Sequence, residues 1–274
     1  MKDQKERLDY LVEAFIQDSK EYSDIKVPDD LDEKRRILRS LMNIRMPEDM
    51  DQETLKIQDE YLKERNREKG IVTVDEIPTI KDLGSKHLHG EKISIYQGDI
   101  TGIASDAIVN AANSQMLGCF VPMHNCIDNC IHTYAGIQLR NECYRKMQAY
   151  KKIYGRDYEY PTAIPMLTEA YNLPCEKVIH VTGPIVSGSL TQKNITDLRN
   201  CYVNVLDLCK ENGIRSVTFC CISTGVFAFP GRKAAEIAVD SVSSWLGENE
   251  DCIDRVIFNV FKDEDRRYYE QELL

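Results

Sequence analysis

A chain of 274 residues with 42% hydrophobic and 29% charged side chains can bury a core, either as one large domain or as a domain of roughly 150 to 200 residues with an extension. That composition excludes a disordered or fibrous protein, and a net charge of −10 repels phosphodiester backbones, which sets nucleic acid aside as a principal partner. No apolar run reaches the roughly 18 residues of a membrane span, and residues 1–7 lack the apolar core of a signal peptide, so a cytoplasmic protein with no membrane association is expected.

In a reducing compartment the ten cysteines read as buried thiols or metal ligands rather than as a disulfide framework. Residues 1 to about 70 carry helical periodicity in three pieces. Leu8, Leu11, Val12 and Phe15 form the first stripe, Ile37, Leu38, Leu41 and Met42 the second, and Leu55, Tyr61 and Leu62 mark the third. Pro28 and Pro47 fall between them. The charged run at residues 63–69 reads as a solvated helix face, and residues 70–90 as a connector. His87 and His89 in that connector read as solvent-facing rather than as ligands. Residues 1–87 are thus expected to form a helical extension with its connector, and residues 88–274 the main domain.

The period then changes. Residues 92–96 alternate as a half-buried strand, and Ala107, Ile108 and Val109 form a wholly apolar one. One helix is expected from Cys126 to about Ala149 and another from about Thr191 to Asn212, with Gly213 as its stop signal. Strands are expected at 177–181, 216–222 and 255–261. A helix with Pro230 near its first turn and Gly247 after it lies between the last two, and a short polar helix ends the chain. Alternating strands and helices predict an α/β fold, a three-layer α/β/α sandwich around a mixed sheet.

Ligands of open α/β sheets bind beyond the carboxyl ends of strands, where loops lead into helix N-termini. Two loops have that position. In the first, Cys119, His124 and Cys126 put two thiolates and an imidazole within eight residues, a donor set suited to zinc, with Asn113 and Asp128 on either side. Three protein ligands leave one tetrahedral position open, as in a catalytic site. A four-ligand structural site closed by Cys130 and a pair of inert buried thiols are the alternatives. His132 reads as a helix-face residue within reach of Asp128 one turn earlier. The second loop, Ser223, Thr224, Gly225, Val226 and Phe227, has small residues that let backbone amides approach a diphosphate, with hydroxyl donors and an aromatic wall; a plain chain-reversing turn is the alternative. Asp99, just past a strand, can accept a hydrogen bond from an exocyclic amine or cap a turn.

Three stretches taken in order resemble the macrodomain family, whose members bind ADP-ribose: residues 97–101, 106–113 and 222–230. Most macrodomains carry a run of glycines before a helix start reading Val-Asp-Gly-Ala-Ile-His. Residues 118–126 replace that run, and the segment looks like the zinc-dependent microbial branch, protein-ADP-ribose hydrolases. Residues 39–47 are similar to the helical extension of that branch, so the resemblance spans nearly the whole chain.

The resemblance implies that Asp99 and Ile100 hold the adenine, and that Ser223, Thr224, Gly225, Val226 and Phe227 hold the phosphates and distal ribose. It implies that Asn113 contacts the distal ribose, with Ile127 also lining the ADP-ribose site. Asp128 would orient water or a ribose hydroxyl, and Cys119, His124 and Cys126 would bind Zn2+. The implied activity is release of mono-ADP-ribose from modified proteins, in the context of lipoyl-carrier proteins and sirtuin-type ADP-ribosyltransferases. A non-catalytic ADP-ribose reader is the alternative, and a helical adaptor acting through residues 1–85 a third.

Overall fold

The computed structural model describes residues 3–19 and 21–274. The extension folds as three helices, α1 (Gln4–Asp18), α2 (Leu31–Ile44) and α3 (Gln52–Lys69). Each begins at an aspartate whose carboxylate accepts backbone amides of the first turn: Asp3, Asp30 and Asp51. Their apolar stripes meet in a small core of Leu8, Leu11, Phe15, Leu38, Leu41, Ile57, Tyr61 and Leu62, and Ile137 of the main domain enters it. The connector is not loose. Its strand β1 (Val72–Thr73) pairs in parallel with β3 (Ile103–Ala104), and Ile77 and Ile80 are buried in the main core.

The main sheet has six strands: β2 (Ile93–Gln97), β4 (Ala107–Ala111), β5 (Pro165–Glu169), β6 (Lys177–Val181), β7 (Ser216–Phe219) and β8 (Arg255–Val260). Their order is β2-β8-β7-β4-β6-β5, parallel throughout except for the antiparallel β5–β6 pair. The expected mixed sheet is therefore present, and its one reversed strand is β5. No sequence pattern singles β5 out, because prolines stand at 161 and 165 around a short run; a proline at the first residue of an edge strand costs no ladder bond.

Consecutive residues of β4, β6 and β7 are buried, so both faces of the sheet centre are covered. The helices α6 (Gln192–Glu211), α7 (Gly231–Glu248) and α8 (Asp263–Leu273) pack side by side, while α4 (Ile127–Ala135) and α5 (Ile137–Tyr154) pack together with α2 against α4.

Two helix expectations need correction. The helix expected from residue 126 to 149 is broken at Gly136, which has φ +97° and where a Cβ would come within 2.8 Å of Gln138 Oε1. Gly247 lies inside α7 rather than after it, and Asn249 is the cap. Gly213, with φ +67°, does end α6 as the sequence suggests. No helix among the described residues is long and apolar enough to cross a membrane.

Candidate active site

Because β2, β4, β6 and β7 run parallel, their carboxyl ends at Gln97, Ala111, Val181 and Phe219 open on one edge of the sheet. The loops singled out in the sequence leave from that edge, the place where open α/β sheets bind ligands.

A carboxylate is held at the centre of the edge. Asp128, in the first turn of α4, is 5% exposed. Its Oδ1 accepts a hydrogen bond from Asn110 Nδ2 at 2.8 Å and its Oδ2 one from Asn113 Nδ2 at 3.4 Å. Asn113 also donates to the Gly118 carbonyl at 3.3 Å, so one amide ties the carboxylate to the loop. Burial pushes the Asp128 carboxyl up to about 6, against the Asn110 hydrogen bond and the Arg140 charge, which pull it down. His132 does not lie on an open helix face. It is 4% exposed, its Nε2 is 3.6 Å from Asp128 Oδ1, and neither ring nitrogen has a hydrogen bond.

Cys119, His124 and Cys126 come together: their ligand atoms all lie within 4.8 Å of one another, and Cys119 Sγ is 3.6 Å from His124 Nδ1. Ligands bound to one zinc at about 2.3 Å (sulfur) and about 2.0 Å (nitrogen) stand about 3.5 Å apart across a tetrahedral angle, so this donor set fits the ion. Cys126 is the N-cap of α4, and its Sγ accepts the Asn129 amide at 3.4 Å. Burial pushes the Cys126 thiol up to about 12, with the neighbouring Cys119 adding to it, so a thiolate pair here requires a cation beside it. Cys130 is turned elsewhere, with Sγ 3.7 Å from Arg39 Nη2. His87 Nε2 is 3.1 Å from Ser243 Oγ, away from this cluster.

The loop is braced from outside the sheet. Arg39 of α2 donates to the His124 carbonyl at 2.8 Å and to Asn129 Oδ1 at 3.0 Å, and the Met123 amide donates to Asn43 Oδ1 at 3.1 Å. Arg140 of α5, 5% exposed, donates to the carbonyls of Leu117 (2.8 Å), Met42 (3.1 Å), Asn43 (2.8 Å) and Arg45 (2.6 Å). One guanidinium therefore satisfies the last carbonyls of α2 and the start of the loop.

The second loop turns on itself, with the Phe229 amide donating to the Ser223 carbonyl at 3.0 Å and Ala228 to Gly225 at 3.0 Å. The left-handed backbone is at Ser223 (φ +65°) and Ala228 (φ +55°), not at Gly225. A Cβ at Gly225 would meet nothing within 4 Å, which leaves open space beside the amides. Thr224 Oγ1 donates to the Cys221 carbonyl at 3.0 Å, whereas the buried Ser223 Oγ has no partner. Gly183, past β6, packs so closely on Ser223 that a Cβ there would be 2.0 Å from Oγ. Val226 is 83% exposed at the tip, Phe227 is half-buried, and Phe227 accepts the Val186 amide at 2.9 Å through its carbonyl.

Asp99 both caps a turn and forms an ion pair. Its Oδ1 accepts the Thr101 amide at 2.9 Å, and its Oδ2 is 2.8 Å from Lys69 Nζ. Lys69 also lies 3.3 Å above the Tyr134 ring. The charged end of α3, expected to be solvated, thus reaches into the site. Ile100 and Ile127 flank the same edge, buried and half-buried respectively.

The Macro domain family model matches residues 109–238. The chain is 46% identical over 266 residues to a protein-ADP-ribose hydrolase of Treponema medium, covering 97% of each. The chain belongs to the macrodomain family. A protein-ADP-ribose hydrolase of Staphylococcus aureus is 38% identical over 272 residues, 99% of this chain and 96% of the relative. The crystal structure of the Trypanosoma brucei macrodomain in complex with ADP-ribose superposes with a TM-score of 0.64 at 27% identity, covering 85% of this chain and 94% of that one.

In this macrodomain the residues that sequence reasoning missed are supporting ones: Asn110, Arg140, Arg39, Lys69 and Gly183. Asn110 lies in the 106–113 stretch and shares a face of β4 with apolar Ile108, two residues earlier, so a polar residue at an inward position was the available signal. The others carry no local mark.

Proposed function

We propose that this macrodomain is a zinc-dependent hydrolase that removes mono-ADP-ribose from modified proteins. The observation that carries the reading is the convergence of the Cys119, His124 and Cys126 ligand atoms on a loop that Asn113 ties to the buried Asp128 carboxylate. Relatives matched over almost their whole length carry the name protein-ADP-ribose hydrolase.

Residues 88–274 are taken as the catalytic unit and residues 1–87 as the extension that braces its loop. ADP-ribose would lie along the sheet edge with adenine beside Asp99 and Ile100. The diphosphate would lie on the amides of 223–227, with the distal ribose near Asn113, Ile127 and Asp128. Zinc held by Cys119, His124 and Cys126 would supply a Lewis acid at the distal ribose.

Hydrolysis adds water across the bond between ribose and protein side chain, with hydroxyl to one fragment and a proton to the other. Asp128 has the acceptor oxygens for a ribose hydroxyl or for the proton of the attacking water. Asn110 and Asn113 keep those oxygens pointed at the pocket, since each carboxylate oxygen receives one amide hydrogen. The branch resemblance makes a lipoyl-carrier protein, modified by a sirtuin-type ADP-ribosyltransferase, the substrate to try first.

The test is to incubate a mono-ADP-ribosylated protein with the pure enzyme, with and without a chelator, and with a Cys126→Ala variant. Release that depends on the metal and on Cys126 is the expected result. Equal release in all arms would remove zinc from the reaction, and no release with tight ADP-ribose binding would make the protein a reader.

A further inference from the structure

Where the extension meets the main domain, α2, α3 and α4 line a half-open cavity of about 160 Å³. A water needs only about 15 Å³ of such space, so a larger group fits. Four arginines line it, Arg35, Arg36, Arg39 and Arg65, with the rings of Tyr61 and Tyr134, and no carboxylate is among its lining residues. In a chain carrying 45 acidic against 35 basic side chains, that is a local reversal of sign.

The arginines are also incompletely neutralised. Arg36, exposed at the mouth of the cavity, makes no side-chain hydrogen bond or ion pair among the described residues. Arg39 spends its Nη2 on the His124 carbonyl, Asn129 Oδ1 and Cys130 Sγ, none of them a carboxylate. The Nε atoms of both Arg35 and Arg39 are buried without a partner. Only Arg35 and Arg65 have acidic partners, each three residues away on its own helix: Asp32, whose side chain is 82% exposed, and Glu68. The two buried Nε donors of Arg35 and Arg39 cost free energy until an acceptor reaches them.

We propose that this cavity is an anion site for a compact oxyanion of the phosphate class, either inorganic phosphate or a phosphomonoester. Planar guanidinium forks match tetrahedral oxyanions through paired N–H···O bonds, and a dianion balances more of the four charges than a single carboxylate does. Its lining includes none of the groups placed on ADP-ribose or zinc, and it adjoins the adenine end of the sheet edge through Tyr134, whose ring lies 3.3 Å from Lys69, the partner of Asp99. Arg39 belongs to both the cavity wall and the brace of the metal loop, so the site's occupant would be felt at His124.

The test uses the full chain saturated with ADP-ribose, so that the nucleotide pocket is filled, at constant ionic strength set with chloride. Thermal unfolding and calorimetry are followed against inorganic phosphate in one arm and O-phosphoserine in another. The wild type should gain stability with phosphate, and an Arg36→Gln/Arg65→Gln variant should bind at least tenfold more weakly. Without phosphate that variant should melt close to the wild type, because Arg36 has no partner to lose and the part-exposed Arg65–Glu68 pair on one helix is worth only about 0.5 kcal/mol; this keeps a folding defect apart from a binding defect. Response to both probes gives a site that admits esters, and response to inorganic phosphate alone gives a site for the free ion. The proposal is overturned if phosphate does no more than chloride, or acts equally on wild type and variant.

Discussion

Asn110 divides its two amide hydrogens between Asp128 Oδ1 at 2.8 Å and His180 Nδ1 at 3.0 Å. His180 Nδ1 is then an acceptor, so its proton is on Nε2, 3.0 Å from Thr168 Oγ1, and Thr168 donates onward to the Val178 carbonyl at 3.3 Å. Donation therefore runs outward from Asn110 of β4, to the carboxylate of α4 on one side and through His180 of β6 and Thr168 of β5 to the Val178 carbonyl on the other. Each link allows only one orientation of the next.

That chain makes stability depend on acid pH. Burial, with the Lys146 charge, depresses His180 from 6.5 to about 3, so the folded protein keeps the imidazole neutral while the unfolded chain takes up a proton near 6.5. Between those values the unfolded state binds more protons. Stability is complete above about pH 6.5 and falls as pH drops toward 3, by up to about 1.4 kcal/mol per pH unit from this group. Urea denaturation of wild type and His180→Gln at neutral pH and near pH 5 checks this, and the variant should show the shallower loss. Equal slopes would clear His180 of the effect.

Asp128→Asn keeps the volume and removes the charge. Release of ADP-ribose from a modified protein should fall by about a hundredfold or more, the usual span of an acid–base group. Folding stability should change little, because loss of a buried charge is offset by an amide nitrogen that now faces one of the two asparagine donors. Calorimetry should still detect ADP-ribose binding. Unchanged turnover would leave Asp128 with no part in the chemistry.

The metal ligands can be separated from their neighbour by mass spectrometry of the intact protein. Cys126→Ala should lose bound zinc, whereas Cys130→Ser, whose sulfur faces Arg39, should keep about one ion per chain as a three-ligand loop site predicts. Loss of the ion in Cys130→Ser would bring back the four-ligand structural site.

Arg140→Lys should destabilise the protein by about 3 kcal/mol. An ammonium cannot reach the four carbonyls that the guanidinium now spans, and the ends left bare belong to both α2 and the metal loop. A lower urea midpoint together with weaker zinc retention is expected. A stability change without any change in metal retention would show that α2 and the loop are not coupled through this residue.

Much of this was open to a reading of residue spacing. The three helices of the extension are bounded by Asp3, Asp30 and Asp51 and broken at Pro28 and Pro47. The metal ligands lie within eight residues, and the motif loops follow apolar strands. All of these are local: period, cap and spacing are set within a turn or two of chain, where side chains meet whatever the rest of the molecule does. What only the tertiary structure decided lies between residues distant in sequence. It joined β5 antiparallel to β6, set Lys69 against Asp99, and ran Arg140 back to α2. It also enclosed Asn110 between Asp128 and His180. Such pairs leave no periodic trace, because a buried polar group needs only that some partner arrive with the right geometry, and the chain can supply it from any distance.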